Sequence, residues 1–432
     1  MTIKMNKNWT IKESFSIISV FMSFSMALFF VPITKIGSIS IDINAICVAY
    51  FCMIAIIFSS KIFATNIILV VFPWIGLFIG LLIKYAIVGH QTILIVSMMN
   101  LIFFLFVIGL AYQINEWSKT KSGQKKFRFF LIFFSFSIIG FPLLVSSPFY
   151  FFDFLEAIFD VNPKQAIIAA RYLYSPDLRA EAIGVDDIVN FHNRIAQFLC
   201  ACSIFIFVFS RVAYKNKRND VFYYFHQFVS FLTMFISIIL LSGQSLMVFL
   251  AIVIFVILWC FAKVSFSRLK FLFVLSGVFV GFLAFLANSK LAHLILARLN
   301  SSDKTTGRAS RLGDAYDAIF SDSLLGNQME MVEDYHNLFA STTYELGIIG
   351  LLLTLLIWIV LTINIIVIAS KSLGLGIEYF VSCGGLLGFL LITLISGGHG
   401  FPGLGGIILL TPFFYIVLNS RSKMQIREFN TY

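Results

Sequence analysis

LGIIGLLLTLLIWIVLTINIIVIA, running from Leu346 to Ala369, holds 24 residues without a single formal charge. As an α-helix it would be about 36 Å long, more than the roughly 30 Å hydrocarbon thickness of a bilayer. The pattern recurs along the 432-residue chain, at approximately 14–33, 44–60, 67–83, 92–114, 129–147, 195–212, 221–242, 246–262, 271–287, 346–369, 379–396 and 404–418. Twelve such windows predict an all-α polytopic membrane protein, with 1–432 as a single integral membrane domain.

The composition agrees. Mean hydropathy is +0.95, hydrophobic residues make up 59% and charged residues only 12%. A soluble protein carries about 25% charged residues, so soluble enzymes, disulfide scaffolds and disordered chains are excluded. The net charge of +10 would suit a nucleic-acid binder if the charges formed a surface. They fall instead in short runs between apolar segments, the pattern of membrane topology, and no nucleic-acid partner is expected. The six cysteines show neither CxxC nor zinc spacing and read as small membrane-core residues. The 52 phenylalanines read as lipid-facing filler. Lys4, Lys7 and Lys12 precede the first window as in a signal peptide, but the apolar run is too long and no A-x-A site follows.

With a cytoplasmic N-terminus, the cytoplasmic segments hold 20 of the 31 basic residues, among them Lys119, Lys121, Lys125, Lys126, Arg128, Arg211, Lys371 and Arg421. The short external loops hold only Lys35 and Lys84, so both termini read as cytoplasmic. Two external segments are long, about 148–194 and about 288–345, and they carry 15 of the 21 acidic residues with the other 9 basic ones. That concentration of charge on one side predicts an external active surface. Within these segments, Phe151, Phe154, Leu155, Ile158 and Phe159 could form one apolar helical face, and Leu312, Ala315, Tyr316, Ile319 and Phe320 another. Such helices would either roof a cavity at the membrane interface or pack on the bundle.

The window cores contain no Asp, Glu, Lys or Arg, which speaks against an ion-coupled transporter. His226, beside Gln227, reads as a hydrogen-bonded packing residue. No GxxxxGK[ST] run and no metal-like Asp/Glu/His spacing is present, and Asp186-Asp187 reads as a solvated loop pair. No metal or cofactor is expected.

What remains are ordered constellations in the two long segments. The second contains Gly307-Arg308-Ala309-Ser310-Arg311-Leu312-Gly313, then Leu324-Leu325-Gly326, then Tyr335-His336-Asn337, and finally Glu345-Leu346-Gly347-Ile348-Ile349-Gly350. On one continuous helix, His336, Thr343, Gly347 and Gly350 would share a face, with His336 at the external membrane surface. The two glycines would leave room there for a ligand, or equally for a close helix contact. The first segment carries Arg171, Arg179 and Gly184, then Phe191-His192-Asn193-Arg194-Ile195-Ala196. An aromatic-His-Asn triplet therefore precedes a membrane helix in both.

These residues resemble the O-antigen ligase/polymerase superfamily of bacterial envelope glycan synthesis. In that signature a Gly-Arg opens a short helix, a Leu-Leu-Gly turn follows, and His-Asn precedes Glu-x-Gly-x-x-Gly. Gly307-Arg308, Leu324-Leu325-Gly326, His336-Asn337 and Glu345 to Gly350 match in order. Arg179, Gly184, Asn193 and Ala196 resemble the upstream element, with His192 where a proline is usual and a longer Arg–Gly spacing. Two sizeable external segments are most like the Wzy-type O-antigen polymerases, with O-antigen ligase, which transfers glycan to lipid A-core, as the alternative. The resemblance implies a GT-C-like architecture in the bacterial inner membrane and a periplasmic site. It also implies undecaprenyl-pyrophosphate-linked oligosaccharide repeat units as substrates and a chain-length regulator protein as partner.

The implied chemistry needs no metal. Pyrophosphate is already a good leaving group, so what it requires is cationic stabilisation, which a planar guanidinium supplies through paired hydrogen bonds. Arg308 and Arg179 are the catalytic candidates, with Arg171 and Arg311 as substrate-binding ones. The acceptor hydroxyl requires a base. His336 suits this as neutral imidazole, with Glu345 as the alternative, and Tyr335, Asn337 and Glu345 are the neighbouring substrate contacts. A lipid-linked oligosaccharide flippase is the rival of a different class, and it would be expected to carry charges within its spans.

Overall fold

The computed structural model describes residues 11–26, 32–36, 39–42, 45–63, 67–89, 91–145, 185–239, 243–262, 277, 337–371, 376–395 and 403–419. The chain begins with α1 (Ile11–Met26), followed by the strands β1 (Pro32–Ile36) and β2 (Ile39–Asp42). Helices α2 (Ala45–Ile57), α3 (Ser59–Phe63), α4 (Ile67–Val88), α5 (Gln91–Ser118) and α6 (Lys121–Val145) come next. Beyond 146–184 lie α7 (Val185–Ala213), α8 (Val221–Ile239) and α9 (Gly243–Ala262). Beyond 263–336 lie α10 (Leu338–Lys371), α11 (Ile377–Ile395) and α12 (Gly403–Ile408), which leads into the apolar helical stretch Gly406–Asn419.

Among the described residues, six helices are long and apolar enough to cross a membrane: Ile67–Val88, Ser97–Ser118, Ala196–Ala213, Val221–Ile238, Leu338–Ser370 and Ile377–Leu394. Ala45–Ile57, Ser245–Phe261 and Gly406–Asn419 are shorter apolar helices. The protein is a helical membrane protein. Eleven of the twelve sequence windows fall on helices, and the window 271–287 lies outside the described residues except for Gly277.

Three window boundaries need correction. The first helix is described only to Met26, and Pro32 and Ile33, the last two residues of the window 14–33, belong to β1 instead. Pro32 has no N–H for a helical bond and its ring clashes with the preceding turn. The strand pairs antiparallel with Ile39–Asp42, Pro32 opposite Asp42 and Ile36 opposite Ile39, so the fold is not wholly helical. Residues 185–194 are helical within α7, which puts Asp186-Asp187 in a helix rather than in a loop. Residues 338–345 are helical within α10. Both long segments are therefore shorter than the hydropathy pattern suggests, because polar residues extend the helix that follows each of them.

The phenylalanines also depart from expectation. Phe127, Phe130, Phe134, Phe205 and Phe209 are fully buried, and they link α6 to α7 through edge and tilted contacts with centroids 5.1–6.3 Å apart. Such pairs add to simple area burial. Lipid-facing positions such as Leu69, Phe72, Phe228, Phe231, Leu352 and Ile359 remain exposed. Five of the six cysteines are buried. His226 is fully buried, bonds Ser135 Oγ through Nδ1 at 2.8 Å and lies against the Tyr214 ring.

Helices α9 and α11 meet through a small-residue stripe. A Cβ added to Gly384 would stand 2.6 Å from Ile252 Cα, and one added to Gly388 would stand 2.7 Å from Val248 Cα. Without a hydrophobic force between helices in lipid, backbone approach of this kind supplies the packing. Gly388→Leu is expected to force the helices apart and destabilise the protein by about 1–3 kcal/mol, read as a lower Tm of the purified protein in detergent. An unchanged Tm would disprove the close contact.

One end of the bundle is tied by basic residues that the sequence presents as topology markers. Arg211 Nε bonds Glu378 Oε2 at 3.0 Å and its other donor reaches Tyr223 Oη at 3.0 Å, joining α7, α8 and α11. Arg128 Nε donates to the Ala213 carbonyl at 3.0 Å while its guanidinium lies 5.0 Å from the Tyr214 ring, joining α6 to the end of α7. These charges anchor helix ends to each other.

Candidate functional site

The opposite end of α10 is where the sequence constellation meets described structure. Asn337 caps the helix: its Oδ1 accepts from Ala340 N at 3.1 Å, and its carbonyl accepts from Ser341 N at 2.9 Å. Its Nδ2 also donates to the Leu394 carbonyl near the end of α11 at 3.0 Å. Thr342 and Thr343 return their hydroxyls to the carbonyls of Leu338 and Phe339 at 2.7 and 2.6 Å, so polar side chains are satisfied within the helix itself.

At Gly347 the helix breaks. The residue has φ 61° and ψ −144°, a conformation essentially restricted to glycine. Thr342 and Thr354 then meet with hydroxyls 2.8 Å apart, and the Phe339 and Trp358 rings pack with centroids 5.7 Å apart. On a straight helix those pairs would be separated by about 18 and 28 Å along the axis. The chain therefore folds back, with a short arm (338–346) lying along a long arm (348–371). Gly350 permits the closeness, since a Cβ there would stand 2.0 Å from the Thr342 carbonyl oxygen.

The fold-back corrects two expectations. Thr343, Gly347 and Gly350 do not share one helical face, because no single helix spans them. Nor does the start of α10 mark the tip of the bundle. Trp358 Nε1 bonds Thr393 Oγ1 at 3.0 Å, which sets the Asn337–Leu394 contact about 16 Å along the long arm from Gly347. The outermost point of α10 is the break.

At that break sits a buried ion pair. Lys84 Nζ lies 2.9 Å from Glu345 Oε2 and 2.5 Å from the Glu345 carbonyl oxygen. The two side chains are only 15% and 3% exposed. Tyr85 stands against the same carboxylate. Gly76 and Gly80 precede Lys84 at four-residue intervals on α4, and Cβ atoms there would lie 3.3 Å from Leu353 and 3.1 Å from Leu346. This smooth face lets the break seat close enough for Lys84 to reach. Lys84 is thus a partnered helix residue and not a short-loop marker, and charge does enter the helices, because α4 and α10 extend beyond their apolar windows.

Of the residues singled out in the sequence, Asn337 and Glu345 are described, in one folded-back arm, with Asn337 at its start and Glu345 two residues before its break. Arg171, Arg179, Arg308, Arg311, Tyr335 and His336 lie outside the described residues, as do the two amphipathic stretches. His192 and Asn193 fall within the backbone of α7. Sequence reasoning missed Lys84 and the break; the available signal was the run Gly76, Gly80, Lys84 on one helical face. Among the described residues no three His, Cys, Asp or Glu side chains gather as a metal site requires. Comparison with protein-family models, with curated proteins and with solved structures finds no match.

Proposed function

We propose that this chain is a surface-polysaccharide polymerase of the Wzy type, a glycosyltransferase of lipopolysaccharide biosynthesis. It transfers a growing glycan from undecaprenyl pyrophosphate to the next lipid-linked repeat unit. In this reading the chain crosses the bacterial inner membrane twelve times in a GT-C-like arrangement, with both termini cytoplasmic and the site facing the periplasm. A chain-length regulator acts as its partner.

The observation that carries the reading is the ordered run Gly307-Arg308, Leu324-Leu325-Gly326, His336-Asn337, Glu345-x-Gly-x-x-Gly350. Its support is that every described member of the run has a separate task in one motif. Asn337 caps the short arm, Glu345 pairs with Lys84, Gly347 makes the break and Gly350 admits the returning arm. In the proposed step an acceptor hydroxyl oxygen attacks the anomeric carbon while His336 takes its proton. The bond from that carbon to pyrophosphate breaks, and the electron pair leaves with the pyrophosphate, whose charge Arg308 and Arg179 stabilise. Arg171, Arg311, Tyr335 and Asn337 contact substrate.

Single-turnover transfer between synthetic lipid-linked repeat units tests this. Arg308→Ala should abolish transfer with the protein still present in the membrane, and Arg308→Lys should recover only part, since an ammonium lacks the bidentate fork. Full transfer in the alanine variant removes Arg308 from the site. An acceptor preference for lipid A-core would instead identify a ligase. A lipid-linked oligosaccharide flippase is the second reading, favoured by the broken helix and the ion pair that α4 makes to it, features shared with transporter substrate sites. Movement of the lipid-linked substrate across proteoliposomes without any transfer would favour it.

A further inference from the structure

We infer that Lys84 is a positioning residue for the transfer site, acting through Glu345 to hold the short arm of α10 in its folded-back pose. This rests on the polymerase reading for its functional half only. The physical half stands on the described residues alone.

Gly347 supplies the turn, but a glycine in an uncommon backbone region permits a fold-back without enforcing it. The holding contacts must come from outside the turn, and among the described residues three polar ones do so. Asn337 reaches the Leu394 carbonyl at one end, the Thr342–Thr354 pair sits in the middle, and Lys84 grips the other end. The first two are single hydrogen bonds between neutral groups. Lys84 makes two charge-assisted contacts at once, to the side chain and to the backbone carbonyl of Glu345, with both partners largely excluded from solvent. The ammonium therefore fixes the backbone as well as the carboxylate.

The reach is built into α4. Lys84 occupies the same face as Gly76 and Gly80, and those glycines let Leu346 and Leu353 approach to van der Waals contact. A lysine elsewhere on the helix would meet lipid or another neighbour. Asn337 opens this arm, and His336, the proposed base, is the residue before it in sequence, so in the polymerase reading a shift of the arm is expected to move the base even though Lys84 does not touch substrate. A misplacement of about 1 Å from a remote change can cost about 100-fold in rate.

The test uses the full chain with Thr342→Cys and Thr354→Cys added, and it measures two quantities. One is the rate at which the two introduced thiols crosslink under mild oxidant, with the product identified by peptide mass spectrometry. The other is steady-state transfer between synthetic lipid-linked repeat units by the chain without the added cysteines. Lys84→Met is expected to slow the crosslink by about tenfold, equivalent to about 1.4 kcal/mol of lost preference for the folded-back pose. Turnover should fall by about 100-fold with KM unchanged. Lys84→Arg should restore both, which loss of packing alone would not explain. Because Lys84→Met leaves a buried carboxylate without its counter-charge, the neutral pair Lys84→Met with Glu345→Gln is measured beside it, and it should show the same slow crosslink at normal membrane levels. An unchanged crosslink in both variants overturns the inference, and so does a slowed crosslink with full turnover. If the wild-type chain transfers no glycan at all, the polymerase reading fails, and the crosslink alone decides whether Lys84 holds the arm.

Discussion

Gly347→Ala will open the fold-back of α10 and remove function together with it. At φ 61° and ψ −144° a Cβ collides with the chain's own backbone, at a cost of about 1–3 kcal/mol before any neighbour is considered. Relief comes only by returning to helical angles, which would carry the short arm outward and break the Thr342–Thr354, Phe339–Trp358 and Lys84–Glu345 contacts together. Gly350→Ala should give the same outcome from the other side of the turn, since its Cβ would stand 2.0 Å from a carbonyl oxygen that cannot rotate away. Gly89 provides the contrast. It also has positive φ, at 79°, so Gly89→Ala carries the same backbone strain, but an added Cβ there meets nothing within 4 Å and no fold-back depends on it, so its loss of Tm should be the smaller one. Thermal unfolding in detergent and glycan length in cells are the measurements. Wild-type Tm and full-length glycan in Gly347→Ala would show that the break is dispensable.

His336→Ala is expected to lower single-turnover transfer by about 10²–10⁴-fold, the usual range for general-base catalysis. Donor binding should survive, because in the proposed mechanism the arginines and not the imidazole hold the pyrophosphate. His336→Gln keeps size and some hydrogen bonding but cannot accept a proton, so it should be nearly as inactive. A base must be neutral to act, so activity should fall as the pH is lowered and the imidazole becomes protonated. The structure also bears on the alternative base. The Glu345 carboxylate is engaged by the Lys84 ammonium and is 3% exposed, an arrangement suited to holding a helix rather than to meeting a substrate hydroxyl. Near-wild-type turnover of His336→Gln would refute the base assignment and leave the rate to arginine electrostatics.

Hydropathy marked nearly every helix because burial of apolar side chains in lipid is a local property, summed over about 20 consecutive residues. It misplaced the ends where polar residues are satisfied by their own helix. Thr342 and Thr343 count as hydrophilic, yet their hydroxyls bond carbonyls one turn back and the helix runs through them. Pro32 was legible as a helix stop by its chemistry, but an apolar average passed over it. The phenylalanines were misassigned because a composition cannot tell a ring facing lipid from one facing another ring, as Phe205 faces both Phe134 and Phe209.

The site divides in the same way. Asn337 and Glu345 were legible from their order and spacing, and both prove to be fixed by specific bonds. The spacing of Gly347 and Gly350 suggested either room for a ligand or a close helix contact. The contact is real, but the helix that Gly350 meets is an earlier part of its own element. Dihedral angles leave no trace in spacing. Lys84 was out of reach for a different reason, since its partner is 261 positions away and only the folded bundle brings them together.

That separation has a consequence for how the protein is made. At about 5–20 residues per second, Lys84 leaves the ribosome roughly 10–50 s before Glu345 does. Through that interval α4 is already apolar enough to enter the bilayer, carrying an ammonium whose counter-charge does not yet exist. Its flexible stem lets the head group reach toward the membrane surface and wait. The later segment faces the complementary difficulty, because the short arm, with Ser341, Thr342, Thr343 and Glu345, is a poor candidate to partition into lipid unaided. Each half of the pair makes the other admissible, so the last quarter of the chain is received by a bundle that was prepared for it. Truncations ending between 90 and 337 should therefore leave α4 shallowly inserted and open to quality-control proteolysis.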